Sequence, residues 1–201
     1  MYVGRFVCAG KMNGKLWAGY RVSSRSFPGR YAVRLNESTA AVLPKAVKDL
    51  EKSPYISYSC IRALPGAAVV ANGSHTDPIV EKIAAGYPPR DALALSLLAL
   101  DYEKDSLNTP RIAAVVTKGE AFLGIVTRDG LNVSAFPLQE KSCLMVATYE
   151  KTVFTQLTLE AYSADDLAKK LYDLTFEKPV CAAGAFQDGG RFQIGVYNGP
   201  Q

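Results

Sequence analysis

Apolar and polar positions alternate along much of this chain, and the alternation falls into two blocks of short strands with helical patterning between and after them. In the first block, residues 2–9 and 16–22 are predicted strands joined at Asn13-Gly14, a dipeptide suited to a tight hairpin. Runs at 40–43, 55–62 and 67–71 follow, the last two separated by Pro65-Gly66. The second block holds 112–117, 121–127 and 131–137 around the turns Lys118-Gly119 and Asp129-Gly130. Runs at 144–149, 153–159, 180–186 and 192–197 complete it. Several runs are apolar at successive positions, which predicts sheets covered on both faces.

Helical signals are fewer. Asp77 before Pro78 predicts an N-cap with proline at the first helical position, and Gly86 predicts the stop. A second helix is expected from about Pro89 to about Lys104, apolar most of the way round and therefore deeply buried. A third enters at Ser163 and sets Leu167, Leu171 and Leu174 on one face. Residues 46–52 fit a short helical turn. With no repeat or linker, the pattern predicts one domain over 1–201 of class α+β. Its architecture would be a sandwich of two mainly antiparallel sheets with helices on the outer faces. A two-layer α+β fold is the alternative.

Composition narrows the function classes. The chain has 201 residues, 48% hydrophobic and 21% charged, enough for a substantial core. A net charge of +4 is mild for a nucleic-acid binder and better suited to a small anionic ligand. The opening MYVGRF carries Arg5 inside its first apolar run, so no targeting segment is expected. The densest apolar stretch, 92–100, is far shorter than the roughly 20 residues of a bilayer span. Cys8, Cys60, Cys143 and Cys181 are scattered, which predicts reduced core thiols and a cytoplasmic protein with no metal site.

Four segments carry candidate chemistry. Between Tyr20 and Arg30, the side chains of Arg21, Arg25 and Arg30 alternate with Ser23, Ser24 and Ser26. Guanidinium forks and hydroxyls at such density suit a phosphate, although a solvated basic loop would look similar. Asn72, Gly73, Ser74 and His75 leave a strand and enter a helix, where backbone N–H groups could hold an anion or carbonyl oxygen. The plainer alternative is a turn. His75, the lone histidine, could carry a proton near neutrality. Asp101, Glu103, Lys104 and Asp105 end the most apolar helix, so a Glu beside a Lys could be poised for acid–base work or simply fray into solvent. Tyr58 and Cys60 share one strand face, and a buried tyrosine hydroxyl can act as donor.

Together these segments resemble the archaeal-type IMP cyclohydrolases. The resemblance rests on YRVSSRSFPGR, on Pro54-Tyr55-Ile56-x-Tyr58-x-Cys60-Ile61-Arg62, on the run from Ala71 through Asp77, and on LALDYEKDSLNTPRIAA from Leu98. It spans nearly the whole chain and is strongest over 2–126. It implies a four-layered αββα fold like that of the N-terminal nucleophile hydrolases. Met1-Tyr2 departs from those hydrolases by offering no nucleophilic side chain at the N-terminus. The implied reaction is the last step of purine synthesis, in which the carboxamide nitrogen of 5-formamidoimidazole-4-carboxamide ribotide attacks the formyl carbon and water leaves. No cofactor is implied.

On that resemblance, Arg21, Ser23, Ser24 and Arg25 would hold phosphate or ribose, so that Arg21→Ala would mainly raise KM. Arg30 would bind the base or polarise the formyl oxygen, and Tyr58 would donate to that oxygen. Glu103, paired with Lys104, would shuttle protons. Asn72, Gly73, Ser74, His75 and Asp101 would complete the ribotide site. The expected partner is this small ribotide, with neither nucleic acid nor membrane, and a homo-oligomer is compatible with the apolar strands. Rival readings are a ribotide amidohydrolase on the same fold and a non-catalytic nucleotide- or RNA-binding module.

Overall fold

The structure is a computed structural model that describes residues 1–51 and 53–200. A hairpin opens it: β1 (Arg5–Met12) and β2 (Lys15–Ser23) turn at Asn13 and Gly14, both at positive φ. These strands sit inside a six-stranded antiparallel sheet with β10 (Cys143–Ala147), β11 (Thr155–Gln156), β12 (Pro179–Asp188) and β13 (Arg191–Tyr197), in the order β11-β10-β1-β2-β12-β13. The second sheet is antiparallel and runs in sequence order. It comprises β3 (Arg30–Asn36), β4 (Thr39–Pro44), β5 (Tyr58–Leu64), β6 (Ala67–Ala71), β7 (Arg111–Thr117), β8 (Glu120–Thr127) and β9 (Gly130–Pro137). The connection from β6 to β7 carries α1 (Thr76–Ala84) and α2 (Pro89–Leu100), and α3 (Ala164–Asp173) precedes β12.

Strand alternation separates three apolar layers. Val7, Ala9, Tyr20 and Val22 of the first sheet meet Val42, Ile61, Ala114 and Leu123 of the second in the central core. Phe6, Cys8 and Trp17 point the other way, beneath Leu167 and Leu171 of α3. Val69, Ala113 and Val115 lie under Ile79, Leu93 and Leu97 of α1 and α2. The layers are thus helix, sheet, sheet, helix, and all four cysteines are free and buried.

Four expectations change in detail. The strand β3 was hidden because little of it is buried: Ala32 joins the central core, Tyr31 and Val33 are half-buried, and Leu35 is exposed. The run 153–159 forms only the short edge strand β11. Helix α2 stops at Leu100, where Asp101 turns the chain at φ 56, and it leaves Leu98 65% exposed, so it is not buried all round. In 46–52, a single 3-10 turn covers Val47–Asp49, and Lys52 lies outside the described residues. No helix among the described residues is long and apolar enough to cross a membrane.

Candidate active site

One end of the sandwich gathers the polar chemistry. There the end of β2, the starts of β1 and β3, the 3-10 turn Pro54–Ile56 and the loop after α2 surround a polar cleft. Arg5, Ser23, Ser24, Arg30, Tyr55 and Glu103 line it, with Tyr2, Ser26, Asp105, Thr109 and Tyr149 around its rim.

Glu103 is 1% exposed, and both of its oxygens are taken by one guanidinium. Arg5 Nη1 donates to Oε1 at 3.0 Å and Nη2 to Oε2 at 2.9 Å, a bidentate pair within the protein. Asp101 turns the chain after α2, and the Glu103 N–H then donates to the Thr109 carbonyl at 2.8 Å, which fixes the backbone under the carboxylate. Burial pushes the Glu103 carboxyl above the usual carboxylate range, while Arg5 and then Arg111 pull it back down. Desolvation opposes the Arg5 charge, and Glu103, Tyr58 and Tyr20 together more than offset it.

Tyr58 is 7% exposed, and its hydroxyl stands 2.6 Å from that of Tyr20 across the central core. Burial raises the Tyr58 hydroxyl above its ordinary range, opposed by Arg30 and Arg5. Arg30 is buried at the start of β3, and its Nε donates to the Phe27 carbonyl at 3.1 Å. That bond folds the Phe27–Arg30 turn inward. Ser24 Oγ accepts from the Phe27 N–H at 2.9 Å, while the buried Ser23 Oγ has no partner among the described residues. The cleft therefore combines an anchored carboxylate, a buried guanidinium and an uncommitted hydroxyl, with the Tyr58 phenol in the core near Arg30 and Arg5.

Several predicted site residues lie elsewhere. Arg21 has the parity of Trp17 and Gly19, not of Tyr20 and Val22, so it emerges on the α3 side of the sheet. There it is 0% exposed and donates to the carbonyls of Leu171, Leu174 and Phe176 at 3.2, 2.7 and 2.6 Å. It closes the end of α3 and has no path to the cleft. Lys104 is exposed and pairs with Asp101, so the expected Glu103–Lys104 pair does not form. Asp101 also accepts from the Tyr102 N–H at 2.8 Å and serves as the hinge of the loop. Arg25 is exposed outside the cleft lining, pairs with Glu177 at 3.1 Å, and lies 4.1 Å over the ring of Tyr2.

The Asn72–His75 turn is mainly structural. Asn72 Nδ2 donates to the Pro110 carbonyl at 2.9 Å and its Oδ1 accepts from the Ile112 N–H at 2.8 Å, joining the ends of β6 and β7. His75 precedes the first turn of α1, where Asp77 was expected, and Asp77 instead pairs with Arg62. Burial lowers the His75 pKa to about 3. The Ile112 carbonyl, 2.9 Å from Nε2, can only accept, so the ring is neutral with its proton on Nε2. Burial thus works against a charged ring near neutrality. Ser74 is exposed. A Cβ at Gly73 would lie 2.5 Å from Arg111 Nη1, so the end of the Arg111 side chain would have to shift to admit one.

Residue patterns gave no role to Arg5, Tyr20, Tyr149 and Arg111. Tyr149 shares a 2.7 Å hydrogen bond with Thr109, whose hydroxyl also reaches Asp105, and stacks on Tyr2 with ring centroids 5.9 Å apart. Arg111 is 6% exposed, its Nε is without a partner among the described residues, and its guanidinium lies 5.6 Å over Tyr55. A charged residue inside an apolar strand run was the available signal for Arg5 and Arg111. A larger cleft of about 820 Å³ opens at the opposite strand ends, between Arg34, Glu37, Leu64 and Arg191. Arg34, Glu37 and Arg191 are exposed there, so that cleft holds no anchored polar group comparable to Glu103.

A family model described as IMP cyclohydrolase-like protein matches residues 2–191. A curated protein named IMP cyclohydrolase from Methanocella arvoryzae is 73% identical over 201 residues, covering 100% of each chain. Similarly named proteins from Methanothrix thermoacetophila and Natronomonas pharaonis are each 50% identical, over 98% and 99% of this chain and 99% and 100% of theirs.

Proposed function

The chain belongs to the IMP cyclohydrolase-like family, and from that premise we propose how the cleft closes a purine ring. The activity is that of an IMP cyclohydrolase: dehydrative cyclisation of 5-formamidoimidazole-4-carboxamide ribotide to IMP, which completes purine biosynthesis. Both reacting groups are on one imidazole ring, so binding must fix two rotamers and exclude water. An amide nitrogen is a weak nucleophile, so the formyl carbonyl needs polarising and the nitrogen must lose a proton.

The assignment of roles follows from burial and free valence. The Ser23 hydroxyl, unpaired and buried, meets the ribotide phosphate together with Ser24, Ser26 and, reaching in from beside Tyr2, Arg25. Arg30 and Tyr58 face the formyl oxygen. As the carboxamide nitrogen attacks, the carbonyl electron pair moves to that oxygen, and Arg30 and Tyr58 stabilise it by hydrogen bonds. Glu103 takes a proton from the attacking nitrogen and passes it to the oxyanion, which becomes a hydroxyl; it then takes the formamide N–H proton and passes it to that hydroxyl, which leaves as water as the ring C=N bond forms. Arg5 holds the carboxylate in place through both oxygens, leaving their outer lone pairs for substrate. Tyr2 and Tyr149 form the flat wall against which the heterocycle lies. Arg21, Lys104 and Asn72 have no part in the reaction. The same reading puts the enzyme in the cytoplasm, where its four buried thiols stay reduced.

The observation that carries this proposal is the Arg5–Glu103 pair inside the cleft that Arg30 enters from β3. Incubation with the formamido ribotide should yield IMP and no formate. Free formate with aminoimidazole carboxamide ribotide would instead identify an amidohydrolase.

A further inference from the structure

Tyr20 stands out among the buried groups that the proposed chemistry leaves unused. Its ring comes from β2 and that of Tyr58 from β5, so the 2.6 Å contact between their hydroxyls bridges the two sheets. The rings meet edge to face, with centroids 6.3 Å apart. Tyr20 is the deeper of the two, 0% exposed against 7%. Its hydroxyl has no other hydrogen-bond partner among the described residues.

That environment decides which hydroxyl donates. If Tyr58 donated to Tyr20, the Tyr20 proton would be left in an apolar core with nothing to accept it, and the Tyr58 proton would be unavailable to the cleft. If Tyr20 donates, its proton is placed on the Tyr58 oxygen, and the proton of the less buried Tyr58 is left free for the substrate. We propose that Tyr20 is a positioning residue for ring closure, donating to the Tyr58 oxygen so that the Tyr58 O–H is held toward the substrate's formyl oxygen. The proposal rests on the reading of Tyr58 as the donor to that oxygen. Tyr20 keeps its own proton throughout. As charge grows on the formyl oxygen, Tyr58 shares its proton more fully, and the Tyr20 bond stabilises the partial charge left on the phenol.

The neighbouring charges agree. Around Tyr58 stand Arg30 from β3, Arg5 from β1, Tyr20 from β2, and Cys60 on its own strand, with Cys181 of β12 beside Cys60. Burial pushes the Cys60 thiol well up and Cys181 to about 12, so both stay neutral. Burial likewise keeps Tyr20 protonated. Arg30, Arg5 and the Tyr20 hydrogen bond each favour charge on Tyr58.

The test replaces Tyr20 by Phe and follows the ring-carbon NMR signal of Tyr58 across the alkaline range, the signal being identified by its absence from Tyr58→Phe. In Tyr20→Phe, Tyr58 should titrate about one pH unit higher, and kcat for IMP formation should fall about tenfold with KM nearly unchanged. A 3-fluorotyrosine at position 20 keeps the shape and strengthens the donor, so it should move the Tyr58 titration down. A Tyr58 titration that stays put, or that moves the same way in both variants, overturns the proposal. Full turnover in Tyr58→Phe would instead overturn the role of Tyr58 itself, and it does not depend on what Tyr20→Phe does to the titration.

Discussion

At the residue scale, the decisive pairing is Arg5 with Glu103, and sequence proximity pointed to another. Glu103 was legible as a candidate because it follows closely on an apolar helix. Its partner was not, because Arg5 is 98 residues away and is brought in only by the sheet. Lys104, the neighbour in sequence, is turned outward with Asp101 once the chain reverses at positive φ. The pair makes a definite prediction. Arg5→Met leaves a carboxylate buried without its donors, at a cost of roughly 3–5 kcal/mol, measurable by denaturant unfolding near neutral pH. Without Arg5 the Glu103 carboxyl rises further above its ordinary range. A raised carboxyl contributes stability only while protonated. The deficit should therefore shrink as pH falls toward the unfolded carboxylate value of about 4.3 and grow as pH rises through the folded one. The acid limb of kcat/KM should move to higher pH in the same variant, because ionised Glu103 is the working form.

At the element scale, α3 shows how one guanidinium can end a helix. Ser163 caps its start, accepting from the Asp166 N–H at 3.1 Å, as the sequence motif indicated. Its far end has no glycine stop; Arg21, rising from the sheet below, takes three carbonyls instead. The motif around Arg21 looked like a phosphate loop because it was read as one segment. Strand alternation divides it, with Tyr20 and Val22 on one face and Arg21 on the other, and that period was already visible in the sequence. The serines beyond Val22 and Arg30 remain at the cleft. Arg21→Ala should accordingly lower stability by roughly 2–4 kcal/mol through unpaired buried carbonyls. KM of the folded enzyme should change little. A raised KM at unchanged melting temperature would restore Arg21 to the phosphate site.

At the scale of the whole molecule, the layering was readable because runs apolar on both faces require cover on both sides. The two outer helix layers and the central core follow from that pattern. What the pattern could not convey is which strand ends meet. The cleft draws on β1, β2, β3, the turn before β5 and the loop after α2, and only the folded sheets bring them to one rim. The Tyr20–Tyr58 bond belongs to this scale too, since it depends on how the sheets face each other. The central claim is that an anchored Glu103 moves protons during ring closure. Its most direct test is kcat for IMP formation by Glu103→Gln at saturating ribotide. The account predicts a fall of at least about 100-fold with KM within about threefold of the unsubstituted enzyme; turnover near that of the unsubstituted enzyme would contradict it.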